Sequence, residues 1–246
     1  MIHGWASSLR EWEEIIPAFV TAGFKVYAPD LFGHGDSPKP DDPKMYYCQM
    51  AYATLRTWID SLELTQAPIM IGHSLGAWMC LRYASGHPYR VQRLILINPL
   101  FTLEQIPHYA RILAGNDWLN SVALRYAPES WIRKLTGLVP SAKANLAPEI
   151  MRRISHDYKR ASSHITSLTM TAIDLTDKLR EIPTKTLIVW GEKDQTLDTA
   201  FFPVMAEMMP EAITFPIADA GHEAHQERPK IVIKEMMDFL MGMQQT

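Results

Sequence analysis

The chain has 246 residues, a formal net charge of −3, 47% hydrophobic and 21% charged residues, the balance of an ordinary soluble globule able to bury a sizeable core. That composition excludes a long disordered chain, and a pI near 6.3 excludes a nucleic-acid binder that works by bulk charge. Cys48 and Cys80 are too few for a disulfide framework, no apolar run approaches the ~20 residues that span a bilayer, and residues 1–5 lack the basic and apolar regions of a secretory signal, so a cytoplasmic protein without membrane or nucleic-acid partners is expected.

In chain order, residues 9–20 carry apolar positions at helical spacing, with Ser7 or Ser8 as the cap. Residues 24–28 read as a strand, 45–62 as a helix, 69–71 as a strand, 75–85 as a helix and 94–97 as a strand. Further on, 186–190 reads as a strand, 199–209 as a helix, 212–216 as a strand with Pro216 at its end or on an edge, and 229–243 as the last helix. The strand runs lack period-2 alternation, as strands buried on both faces do. Alternating strands and helices predict an α/β fold, a mostly parallel sheet flanked by helices. Residues 101–180 break the alternation: they hold no convincing strand, several helix-like stretches, and Pro128, Pro140 and Pro148. The stretch is about twice as long as a normal crossover, which favours a helical cap over further helices of the main unit. The expected organisation is a core of residues 1–100 and 181–246 with a helical cap insertion at 101–180.

Gly72-His73-Ser74-Leu75-Gly76 is a G-x-S-x-G sequence between a predicted strand and a predicted helix. A sharp strand-to-helix turn needs small flanking residues and lifts its serine above the sheet, where the helix N-terminus offers free N–H groups. An acid, Asp194, follows the 186–190 strand, and His222 lies in the loop before the last helix. The order Ser, Asp, His matches a nucleophile, an orienting acid and a general base. Asp198 is a rival acid four residues on.

With these residues the chain resembles the α/β-hydrolase fold superfamily, in its capped serine-hydrolase branch. His3-Gly4-Trp5 resembles that family's oxyanion loop. Pro29-Asp30-Leu31-Phe32-Gly33-His34-Gly35-Asp36-Ser37 resembles its P-D-x-x-G-x-G-x-S turn, and Gly221-His222 with Glu227 and Pro229 its G-H-x-x-x-x-E-x-P ending. The resemblance covers nearly the whole chain and implies a carboxylic-ester hydrolase without cofactor or metal. Ser74 would be the nucleophile, His222 the base and Asp194 its orienting partner, with the backbone N–H groups of Trp5 and Leu75 holding the oxyanion. Dehalogenases and epoxide hydrolases of this superfamily need aspartate where Ser74 stands. Esterases, lipases, thioesterases, lactonases and carbon–carbon bond hydrolases remain, as do cofactor-free peroxidases and a non-catalytic ligand receptor on the same fold.

His225 lies three residues after His222, a metal-ligand spacing, but with no acidic or cysteine cluster beside it in sequence it reads as a solvated second histidine. His34 and Asp30 read as turn residues. The cap carries a net charge of +4, with Arg152, Arg153, His156, Lys159 and Arg160 on one broad helical face. A basic face would dock an acidic carrier protein, and the layout resembles the pimeloyl-carrier-protein methyl ester esterases; a solvated helix face is the plainer reading. Trp118, Tyr126, Trp131, Leu135, Met151 and Met170 would line an acyl pocket or form the cap's own core.

The family places strands before its His-Gly loop, the last of them between the strands that here are 24–28 and 69–71. Only Met1-Ile2 precedes His3. The expectation is that this sequence lacks its natural N-terminal strands, since a gap would leave backbone groups unpaired; the alternative is that the two neighbouring strands close up or another chain fills the slot.

Overall fold

The computed structural model describes residues 1–108, 110–111, 126, 128 and 146–242. Four parallel strands, β1 (Ile69–His73), β2 (Arg93–Ile97), β3 (Thr186–Gly191) and β4 (Ala212–Ile217), lie side by side in sequence order. Helix α3 (Leu75–Gly86) crosses from β1 to β2, and α6 (Phe201–Met208) from β3 to β4. The remaining helices among the described residues include α1 (Ile16–Thr21), α2 (Cys48–Ser61), α4 (Pro148–Arg160), α5 (Thr166–Met170), α7 (Ala224–Glu227) and α8 (Pro229–Met241).

Strand geometry divides the apolar runs between two cores, because successive side chains point to opposite faces. Met70, Leu94, Leu96, Ile188 and Trp190 pack with Leu55 and Ile59 of α2, Trp78 of α3 and Phe202 of α6. Their neighbours Ile71, Ile95, Ile97, Leu187 and Val189 pack on the other face with Trp12, Phe19 of α1, and Val232 and Met236 of α8. This two-sided burial removes the alternation that a half-exposed strand would show. β4 has one neighbour and is half exposed along its length, so Pro216, which pairs Trp190 inside the strand, sits on an edge.

Two expectations change. Residues 9–20 do not form one helix: a 3-10 turn, Leu9–Trp12, precedes α1, and Pro17 lies in the first turn of α1. Proline clashes with the carbonyl four residues back, so a helix running through it from Leu9 breaks. Residues 24–28 run without strand structure. Phe24, Val26 and Ala28 pack on the core, and among the described residues Met1 and Ile2 stand between this segment and β1. The Met1 amine donates to the Tyr27 carbonyl at 2.7 Å, and Ile2 makes a single parallel bridge to Gly72. Below that bridge a groove of about 560 Å³ separates Phe24–Tyr27 from Ile69–Ile71.

Between β2 and β3 the described residues contain no strand; they hold α4, α5 and the 3-10 turns Leu103–Gln105 and Thr176–Glu181. Pro148 starts α4, where its missing N–H costs nothing. Among the described residues no helix is long and apolar enough to cross a membrane.

Candidate active site

The turn from β1 to α3 holds Ser74 at φ 50° and ψ −115°, a left-handed conformation strained for any residue with a Cβ. The turn is tight enough that a Cβ on Gly76 would stand 2.6 Å from the His3 carbonyl oxygen and nearer still to that of Ile2. Glycine at 76 therefore lets the start of α3 lie directly against the backbone of residues 2–3. Ser74 N–H donates to the Ile97 carbonyl at 3.0 Å, fixing the turn to β2.

The structure brings Ser74, His222 and Asp194 into one line. His222 Nε2 lies 3.0 Å from Ser74 Oγ, and its Nδ1 lies 2.8 Å from Asp194 Oδ2. Asp194 follows β3 and is held by four donors: the His222 ring, Asn98 Nδ2 at 2.7 Å, and the backbone N–H groups of Thr196 and Leu197. Burial works against its charge, but His222 and these hydrogen bonds outweigh that and leave its carboxyl below the ordinary range. The rival Asp198 instead accepts from Ala200 N–H at the start of α6. Asn98 sits at φ 41° just after β2 and also donates to the Gly221 carbonyl. Sequence reasoning missed it; an asparagine directly after an apolar strand run, at a position that tolerates positive φ, is the only signal it gives.

The loop at residues 3–8 is fixed from several sides. His3 Nδ1–H donates to Gly4 O while its Nε2 accepts from Leu31 N–H, and burial keeps the ring's pKa low. His34 Nε2 accepts from Ala6 N–H, and burial pushes its pKa down to about 3, so the ring is neutral. Asp30 accepts from Leu9 and Asp36 N–H groups, which makes it a turn residue as expected. The Trp5 indole donates to the Ile165 carbonyl and stands edge-on to Tyr158. Among the described residues neither the Trp5 nor the Leu75 backbone N–H has an acceptor, and Leu75 opens α3, where an unpaired N–H group is expected.

His225 is not solvated. It is fully buried against Trp12 and His73, with Nε2 at 3.2 Å from Glu11 Oε1. His73 Nδ1 lies 3.0 Å from the same oxygen. Glu11 comes from the 3-10 turn before α1, far from His225 in sequence, so inspection of neighbouring residues alone misses it. Glu11, His73, Glu223 and His225 bring donor atoms within 4.8 Å of one another. That mix would suit a divalent cation, but Glu11 stands at ion-pair distance from two imidazoles, and we read the cluster as an ion-pair network.

Two residues of the basic face of α4 are engaged with the rest of the protein, while His156 and Lys159 are exposed. Arg153 pairs with Glu13 at 2.7 Å and donates to Gln226, Arg160 pairs with Asp36, and Arg152 pairs with Glu149 on its own helix. Asp157 on the same helix accepts from Ser8 Oγ at 2.6 Å. Of the pocket candidates, Met151 and Met170 are half-buried and Tyr126 is 72% exposed, while Trp118, Trp131 and Leu135 lie outside the described residues.

A Bacillus subtilis protein named as a candidate 2-succinyl-6-hydroxy-2,4-cyclohexadiene-1-carboxylate synthase is 24% identical over 249 residues, 97% of this chain and 88% of its own length. Human monoacylglycerol lipase ABHD6 is 22% identical over 260 residues, 100% of this chain and 76% of its own. The solved structure of a thermophilic esterase from Thermogutta terrifontis superposes with a TM-score of 0.81 at 20% identity, covering 99% of this chain and 89% of that one. At that identity the likeness lies in the fold. A sequence model described as the alpha/beta hydrolase fold matches residues 1–229. That match spans nearly the whole chain, and this protein therefore belongs to the alpha/beta hydrolase fold family.

Proposed function

We propose that this protein is a serine hydrolase that cleaves small carboxylic esters through an acyl-enzyme on Ser74. The observation that carries the reading is the continuous contact Ser74 Oγ–His222–Asp194, at 3.0 and 2.8 Å, on a strained turn at a helix start. Serine is a weak nucleophile at neutral pH and needs a base within hydrogen-bond reach. His222 Nε2 takes the Ser74 proton as Oγ attacks the ester carbonyl, and Asp194 holds the Nδ1–H and stabilises the imidazolium. The backbone N–H groups of Trp5 and Leu75 receive the oxyanion. His222 then returns the proton to the leaving alcohol. Water, deprotonated by the same ring, attacks the acyl-enzyme, releases the carboxylic acid and restores Ser74.

In this reading residues 1–100 and 181–246 form the catalytic core and 101–180 cap it, with Met151 and Met170 on the acyl side. The named activities of the esterase and lipase relatives support an ester substrate. The engagement of Arg153 and Arg160 with Glu13 and Asp36 weakens the charge argument for a carrier-protein partner at α4. A second reading, carbon–carbon bond chemistry on the same serine, draws on the name of the Bacillus relative.

The test is intact-mass labelling with a fluorophosphonate, followed by a panel of esters, thioesters and vinylogous diketones. One adduct on the parent, none on a folded Ser74→Ala variant, and turnover of esters above the diketones are expected. No adduct on folded parent would overturn the hydrolase reading in favour of a ligand receptor. Turnover of the diketones alone would overturn the ester assignment.

A further inference from the structure

Glu11 touches all three segments that meet at Ser74. Its Oε2 accepts from the Gly4 N–H at 3.1 Å, next to Trp5 in the loop at residues 3–8. Its Oε1 stands 3.0 Å from Nδ1 of His73, the residue before Ser74. The same oxygen stands 3.2 Å from Nε2 of His225, three residues after His222. His73 in turn donates from Nε2 to the His222 backbone carbonyl at 3.0 Å, and the two rings lie 4.8 Å apart. Glu11 and both of its imidazole partners are buried.

We propose that Glu11 is a positioning residue: one buried carboxylate that holds the oxyanion loop, the nucleophile turn and the histidine loop in mutual register. The proposal rests on the serine-hydrolase reading for its effect on rate, though not for the tie itself.

The physical argument is one of charge. A buried carboxylate without a counter-charge is costly, and removing one partner of a buried pair costs far more than an exposed pair contributes. The His73 contact lies off the ring N–H direction, so that tie is coulombic more than directional, and it reaches the histidine loop through the His73 Nε2–H to His222 carbonyl bond, with His225 packed against the same oxygen. The titratable groups facing His73 are Glu11, Glu223, His225 and His222. Burial opposes a charge on His73, but Glu11 and then Glu223 outweigh it and raise its pKa to about 9. Burial likewise opposes the Glu11 charge, and His73 and His225 outweigh it, leaving Glu11 well below the carboxylate range. His225 is pushed down by burial and stays neutral. The result is a charged Glu11–His73 pair next to His222, with Glu223 adding to the negative field on His73. A neutral residue at position 11 would still accept from Gly4 but would release His73.

The test compares Glu11→Gln, which keeps the size and the acceptor, with Glu11→Asp, which keeps the charge. For Glu11→Gln, kcat is expected to fall roughly 10- to 100-fold with KM changed less than about threefold, because misplacement of reacting groups acts on the chemical step. Fluorophosphonate labelling should slow in parallel, and Glu11→Asp should recover part of both. Histidine NMR at pH 7.5 should find the His73 ring protonated in the parent and neutral in Glu11→Gln. That last measurement is independent of turnover, so a parent that fails to label would refute the hydrolase reading while the tie is still tested. A folded Glu11→Gln with parental kcat and an unchanged His73 signal would overturn the proposal. So would a stoichiometric metal ion in the purified protein, removed by chelator with loss of stability.

Discussion

Replacing Gly76 with alanine tests the close approach on which the site is built. The added methyl would lie 2.6 Å from the His3 oxygen and nearer to the Ile2 oxygen, whereas ordinary contact begins near 3.4 Å. Both opposing atoms are backbone, so residues 2–3 have to retreat by about 1 Å. That retreat breaks the Ile2 N–H to Ile71 O bond at 2.7 Å and the His73 N–H to Ile2 O bond at 3.1 Å. Two net hydrogen bonds at about 1 kcal/mol each, plus about 2 kcal/mol of overpacking, total about 4 kcal/mol. Alanine's better helix propensity offsets about 1 kcal/mol, leaving about 3 kcal/mol. For a domain of this size that is a fall in Tm of roughly 6–12 °C. Gly86, at the other end of the same helix, has nothing within 4 Å of an added Cβ, so Gly86→Ala should hold or raise Tm by a few degrees. Calorimetry reads both. Fluorophosphonate labelling of the folded fraction reads the oxyanion loop, and Gly76→Ala should slow it by about 100-fold. A Gly76→Ala protein within 2 °C of the parent (roughly the shift from 1 kcal/mol) that labels at the parental rate would refute the argument.

Other outcomes follow from the same geometry. Asn98→Asp would set a second carboxylate at about the 2.7 Å now spanned by the Asn98–Asp194 hydrogen bond. The pair would share a proton and His222 would lose its orienting charge, so kcat should fall about 100-fold or more with KM little changed. His222→Ala should abolish ester turnover while thermal unfolding stays near parental; retained activity in a pure sample would sink the base assignment. The His73 pKa is raised from 6.5 to about 9, so its contribution is fully present below pH 6.5 and is lost as pH rises through 9. Urea unfolding across pH 6–10 should register a loss on the order of 3–4 kcal/mol, since each pH unit between those two values carries about 1.4 kcal/mol, and the loss should vanish in Glu11→Gln. Arg153→Ala should lower stability by about 1–2 kcal/mol, since that side chain is largely covered and bonds both Glu13 and Gln226. Arg152→Ala, in an exposed pair with Glu149, should stay within about 0.5 kcal/mol.

The main lines of the fold and of the serine site were legible because local chemistry marks them. Apolar runs without alternation identified β1, β2 and β3, and G-x-S-x-G placed between a strand and a helix pointed to Ser74 before any contact was known. Asp194 and His222 followed from chain order and family resemblance. What stayed hidden depends on pairing across the fold. Glu11 looks like one more acid in a charged turn until the fold sets it between His73 and His225. His225 looks solvent-facing because its partners come from the first turn of the chain and from β1. Residues 24–28 have the composition of a strand, yet a strand is defined by its neighbour, and among the described residues the bond this segment makes on that side is the one from the Met1 amine to the Tyr27 carbonyl. The basic stripe on α4 read as a solvated face or a docking face because helical spacing reveals which residues share a face but not what stands opposite Arg153 and Arg160. Glu13 and Asp36 do.

The groove beside β1 implies a gradient along that strand. β1 is bonded to β2 over its whole length, but on its other flank only the end nearest Ser74 is held, through Ile2. Alternate residues of a parallel strand aim their backbone groups at opposite neighbours, so Ile69 and Ile71 turn theirs toward the groove. Amide hydrogen exchange should therefore be uneven over five residues, with the His73 amide protected almost to the global limit and that of Ile69 opening in local fluctuations. Ser74 would thus rest on the slow-exchanging end of a strand whose other end is free to breathe.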